Sequence, residues 1–295
     1  MNRIVPSILQ RVAAVAIALS LGTPTALAGD PFRSSDPRDI GDVTEAAFDA
    51  MFEYGDYPQA RDRLEEALVA EPDDPMVPAM MASIIYLEDD DDLDTFYTYA
   101  TQTRETAERL LETDPLRGNI YLAVGHFLEG AYTLRTEGTV RGTPLALEKL
   151  RLVFDALDEA AAIDAADPEL NIIQGYMDLM LAVNLPFSNP DSAIDRLQER
   201  AAPKYLAYRG LAVGYRDLDR PAEAMEAVEK ALELTPNNPE VHYLKAQILV
   251  ESHRHQESLE WFDRALSQRD RLPAELVEQI VWERDKAQRR VNDGE

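Results

Sequence analysis

The densest cluster of chemically capable side chains is the acidic run Glu88 to Asp92, followed closely by Asp94. Alternating oxygen ligands on a tight loop are how proteins bind calcium. This run has no glycine for such a turn, and consecutive acids point in different directions. It reads as a solvated loop between helices, with Asp92 as the N-cap of a helix opening at Leu93. Of the four histidines, His253 and His255 stand two apart and do not share a helical face. His126 and Glu129 stand three apart on a helix and could share a metal, yet no second cluster supplies further ligands. His242 reads as a packing residue between helices. The chain has no Gly-x-Ser-x-Gly elbow, no phosphate-cradling Gly-Lys-Ser/Thr loop and no His-Glu-x-x-His. Carboxylate pairs are so common here that no single pair is informative. The expectation is a protein with no catalytic residues, no metal site and no cofactor.

The arginines say more. The formal charge is −26, which sets the chain against nucleic acid and anionic lipid headgroups as partners. That charge is uneven: residues 30–114 carry 24 acids and 6 bases, whereas residues 115–155 carry 4 acids and 5 bases. Within this near-neutral island Arg117, Asn119 and Tyr121 open a helix that also bears Gly125 and Gly130. Arg135 and Arg141 flank the glycine-containing stretch EGTVRG at 137–142. One reading has Arg117, Arg135 and Arg141 receiving a carboxylate or an acidic partner segment; the other has them neutralising local acids, the glycines serving packing. A second candidate surface is lined by Arg209, Val213 and Arg216, continued by Tyr243, Gln247 and Val250. Aromatic, amide and arginine side chains are what an extended peptide needs.

The elements that must position these residues are helices. Ala67 precedes Pro75, Ala160 precedes Pro168 and Ala231 precedes Pro239, each by eight residues, with a short polar interval following an amphipathic run. Such recurrence marks stacked helix pairs, because one pair cannot bury its own apolar face. In the last third, Tyr208, Leu211, Ala212, Tyr215, Ala224, Val228, Ala231 and Pro236 follow the spacing of a 34-residue helix-turn-helix unit. A shift of 34 gives Ala246, Leu249, Ser258, Phe262 and Ala265, so small stays small and large stays large. On these residues, 205–272 resemble two tandem tetratricopeptide repeats. Residues 43–75 resemble a third unit, with Phe48 where a small residue is expected. Further stretched pairs are read at 77–115, at 121–160 around the insertion 135–142, and at 169–203 around the interruption 184–190. The expected fold is all-α: a right-handed superhelical solenoid of about six antiparallel helix pairs, closed by a capping helix from Leu272 to Val291.

The N-terminus reads as an export signal. Arg3 and Arg11 accompany a ten-residue apolar run, Val12 to Leu21, and Ala26-Leu27-Ala28 places small residues where a signal peptidase reads them. Ten residues span about 15 Å as a helix, half a bilayer core, so no membrane insertion is expected after cleavage. The expected order is signal peptide 1–28, flexible leader 29–42, degenerate repeats 43–203, regular repeats 204–272, and capping helix with tail 273–295. Cysteine is absent, which excludes disulfides and thiol chemistry. The stretches LRGNIYLAVGHFLEG (116–130), EGTVRGT (137–143) and LAVNLPF (181–187) resemble the exported tetratricopeptide proteins of cyanobacteria. That resemblance implies a periplasmic or thylakoid-lumen location and no chemistry. The expected function is an exported scaffold that binds a protein or peptide in its concave groove. The alternative is an anionic-solute carrier with an enclosed pocket around residues 117–142.

Overall fold

A computed structural model describes residues 29–88, 92–184 and 190–294. The expected signal segment 1–28, Asp89 to Asp91 of the acidic run, and most of the 184–190 interruption lie outside the described residues. Helix α1 (Asp42–Phe48) runs into a π-helical turn (Asp49–Glu53) and is followed by α2 (Tyr57–Ala70), α3 (Met76–Glu88), α4 (Leu93–Leu110) and α5 (Pro115–Asp164). Then come α6 (Pro168–Asn184), α7 (Asp191–Glu199), α8 (Lys204–Asp217), α9 (Pro221–Leu234), α10 (Pro239–Glu251), α11 (His255–Leu266) and α12 (Ala274–Asp293). Helix α5 is broken at Gly138 (φ 69°, ψ 175°) into two antiparallel arms, 115–137 and 139–164. Counting those arms as one pair, the described residues form six pairs and a closing helix, with no strand.

A repeated local signal starts the first helix of a pair. Asp114, Asp167 and Asn238 each stand before a proline, and each side chain accepts a hydrogen bond from the backbone N–H three residues on: Arg117 at 2.9 Å, Leu170 at 2.8 Å and Val241 at 3.2 Å. Asp74, before Pro75, accepts from the N–H of Met76 at 2.9 Å. The proline lies in the first turn, where no N–H is needed, so cap and proline together set the helix start. The pairs then close over small residues. Ala60, Ala67, Ala160, Ala212, Ala224, Ala231, Ala246 and Ala265 are all fully buried. At Gly125 a Cβ would come within 2.8 Å of the Arg104 backbone, so α4 and α5 touch there at the limit of contact.

The solenoid does not stay open. Every residue of α3 from Met76 to Tyr86 is buried, the signature of a helix that is apolar all round and sits at the centre. Helices α1, α2, α4, α5 and α12 all contact it. The first pair also meets the last two. Asn238 donates to the carbonyls of Phe52 (2.9 Å) and Glu53 (3.1 Å), and the Tyr57 hydroxyl donates to Glu240 at 2.8 Å.

The leader, expected to be flexible, is a docked strap. Phe32 and Ile40 are buried, and Phe32 packs edge-on against Phe48, with ring centroids 5.4 Å apart. This explains the large residue where the repeat pattern calls for a small one: Phe48 meets the strap as well as its own pair. Arg33 pairs with Asp167, and Arg38 with Asp114 (3.1 Å), Asp167 (3.3 Å) and Glu169 (2.7 Å).

Candidate functional site

Most of the expected groove residues are engaged by other side chains of the protein. Arg209 is half-buried and bound to Glu240, and Tyr57 of the first pair reaches the same carboxylate. Gly210 lies against the ring of Tyr176, whose hydroxyl donates to the Leu206 carbonyl at 2.8 Å. Further along, Arg216 donates to Gln247 at 2.6 Å, and Gln247 donates to Glu283 of α12 at 3.1 Å. Tyr243 is buried against Phe262, and Val213 is half-buried. Arg209, Arg216, Tyr243 and Gln247, expected to line a peptide groove with Val213, thus have partners within the protein. The first pair meets the start of α10 through Tyr57 and Asn238, and the closing helix meets Gln247 through Glu283.

The island residues separate. Arg117 is buried, lies 2.9 Å from Asp74 and 3.4 Å from Glu169, and stacks 5.0 Å over the fully buried Tyr121 ring. Burial opposes its charge, but Asp74 and Glu169 outweigh that and hold its pKa well above the usual arginine value. The carboxylates awaited by Arg117 are thus the protein's own. Asn119 donates to the Pro115 carbonyl at 2.9 Å, a helix-internal bond. At Arg117 the arrangement is that of an arginine neutralising local acids.

Arg135 and Arg141 belong to a different feature. The insertion expected as a loop is helical, and it lengthens the third pair into a hairpin turning at Gly138. The first helices of the regular pairs, α8 and α10, have 14 and 13 residues. Each α5 arm is longer by about ten residues, roughly 15 Å of helix. The arms stay together because Gly142 lets one pass the other: a Cβ there would sit 2.9 Å from the Thr133 carbonyl. At the base, Glu129 binds Arg104 (2.8 Å) and Lys149. Burial raises the pKa of its carboxyl, but His126 close by and the hydrogen bonds from Lys149 and Arg104 outweigh that and lower it to about 2. Toward the tip Arg135 is half-buried and Arg141 exposed. Three large apolar side chains stand in water there: Val140 at 91 %, Leu145 at 48 % and Leu147 at 58 % exposure. Val140 and Leu147 are seven apart on the second arm and share a face.

The pairs α8–α9 and α10–α11 have the lengths, small-residue contacts and antiparallel packing of a regular helical repeat. Residues 215–280 match the family model described as tetratricopeptide repeat. Over that span the chain carries tetratricopeptide repeats. No curated protein matches it. Two solved structures are similar in course. The APC/C hetero-tetramer Cut9–Hcn1 is 15 % identical with a TM-score of 0.35, covering 76 % of this chain and 52 % of that one. The tetratricopeptide domain of P58(IPK) is 13 % identical with a TM-score of 0.32, covering 86 % and 66 %. The chain thus spans between half and two thirds of the length of these structures.

Elsewhere in the repeats the candidate groups have structural partners. Asp92 caps α4, accepting from the Thr95 N–H at 3.2 Å, as the sequence implies. His126 lies 3.7 Å from Glu129, whose other partners are Arg104 and Lys149. His242 bonds the Pro236 carbonyl (2.9 Å) and packs against Trp261, in keeping with a packing role. An open trough of about 790 Å³ between α11 and α12 is lined by charged side chains such as Glu260, Asp263 and Arg284, so it lies on the last repeat and not at residues 117–142. Reading the sequence missed Val140, Leu145 and Leu147. Their signal was available: three apolar residues within eight positions of a near-neutral insertion, none of them matched by the repeat pattern.

Proposed function

We propose that this protein is an exported, non-catalytic interaction scaffold that engages a protein or peptide partner through the protruding α5 hairpin. The export signal at 1–28 underlies the first part of this reading, with the periplasm or a thylakoid lumen as the compartment. The carrying observation for the second part is the exposure of Val140, Leu145 and Leu147 beside Arg141 on an extended rigid tip. An apolar, locally basic tip on a chain of −26 suits a partner that offers apolar contacts with an acidic rim. A photo-crosslinking side chain at position 140 or 147 is expected to capture partner in the native compartment. One at Val69, also exposed but on α2, is expected to capture little. The double substitution Val140→Glu/Leu147→Glu should remove capture and leave helical circular dichroism unchanged. Capture that is equal at all three positions, or that survives the double substitution, removes the hairpin as the binding element.

A further inference from the structure

We infer that hydrolysis after Ala28 creates a structural ion: the new α-ammonium group of Gly29, seated beside the Glu45 carboxylate, locks the strap onto the first repeat. This rests on the export reading for the cleavage itself, and otherwise on the seat of Gly29. Water adds across the Ala28–Gly29 peptide bond, leaving a carboxylate on Ala28 and an amine on Gly29 that is protonated at neutral pH.

Gly29 is buried, and its seat admits only glycine. A Cβ there would lie 2.2 Å from the Ile40 carbonyl oxygen, a backbone atom, and 3.5 Å from Oε2 of Glu45. The Gly29 N–H makes no hydrogen bond among the described residues. The neighbouring Asp30 carboxylate is already occupied by the N–H groups of Phe32 (2.9 Å), Arg33 (3.2 Å) and Arg38 (2.9 Å). Glu45 is the acid left over. It stands in the first turn of α1, but the open amides of that turn are taken by Glu71, which accepts from Val43 (3.1 Å) and Thr44 (2.8 Å). Among the described residues no cation pairs with Glu45. The charged groups facing it are Asp30, Asp42 and Asp49, all acids, and burial together with Asp42 and Asp30 pushes its pKa up. A half-buried carboxylate among acids, 3.5 Å from where a Cβ on the buried Gly29 would stand, is a place for one positive charge. Cleavage supplies that charge at the position where the sequence sets the cut.

The sign with pH follows. An ammonium group that gains a carboxylate partner has its folded-state pKa raised above an unfolded value near 8. Its contribution is complete below about pH 8 and is lost as pH rises through the raised value. At the acid end it fades as Glu45 takes up a proton. The test compares urea unfolding of two purified chains, one beginning at Gly29 and one retaining Ala28. At pH 7 the Gly29 form is expected to have an unfolding constant at least about tenfold smaller, a gap that closes by pH 10 and is absent when both chains carry Glu45→Gln. Equal stability at pH 7 overturns the proposal. So does a gap that persists in Glu45→Gln, since that marks a steric effect of the extra residue. Intact-mass analysis of the exported protein tests the cut by itself: a start at Gly29 is expected, and any other start overturns both the seat and the assigned cleavage site.

Discussion

Asp49 carries the clearest single-residue consequence of the fold. It sits in the π-helical turn at the end of α1, with one carboxylate oxygen buried and lacking a hydrogen-bond partner. Burial, then Glu53 and Glu45, raise its pKa to about 7. Because the folded value lies above the unfolded one, the folded state favours the protonated acid. Stability is therefore lost as pH rises from about 4, the unfolded value, to about 7, and the loss is complete above that. Asp49→Asn should raise the melting temperature at pH 8 and leave it nearly unchanged at pH 4, which differential scanning calorimetry at the two pH values checks. None of this was legible in the sequence, where Asp49 is one acid among 55. The same holds for Arg117. Its neighbours in the chain suggest an open, neutral surface, but its partners lie 43 and 52 residues away.

At the scale of elements, the α5 hairpin depends on Gly138. Its φ of 69° with ψ of 175° is a region that side-chain-bearing residues scarcely visit, and a Cβ there would meet no atom within 4 Å. Any cost of substitution is thus conformational rather than steric. Gly138→Ala should destabilise the protein by about 1–3 kcal/mol, measured by urea unfolding, with the loss concentrated in hydrogen-exchange protection of 130–150. The glycines of this insertion were visible in the sequence as points of close approach and sharp turning. That they join two helices, rather than form a loop, was not. Helix continuation across residues 139–147 depends on the facing arm, through the Gly142 contact, which no local pattern encodes. The same limit applies to the strap: two prolines and weak periodicity read as flexibility, while its order comes from Arg33 and Arg38 meeting carboxylates more than a hundred residues away.

For the whole molecule, closure of the array hangs on Asn238. Its side-chain oxygen caps α10, and its amide nitrogen ties the first pair through the Phe52 and Glu53 carbonyls. Asn238→Asp keeps the cap but replaces the donor with an acceptor facing two carbonyl oxygens. A loss of about 1–3 kcal/mol is expected in urea unfolding, with helix α10 still formed. Faster proteolysis at 53–57 should accompany it, since that turn is what the bond holds in place.

The sequence by itself determined the helices, their pairing and their number. These follow from 3.6-residue periodicity, Asx-Pro starts and small residues at fixed offsets, all of which act within one repeat or between neighbours. Tertiary structure alone decided whether the two ends of the array meet. That choice depends on the small rotation from each pair to the next, summed over six pairs, and on contacts such as Tyr57 to Glu240 that span 183 residues. A slight change in each rotation would leave every repeat intact and part the two ends, so no single repeat's sequence records that they meet.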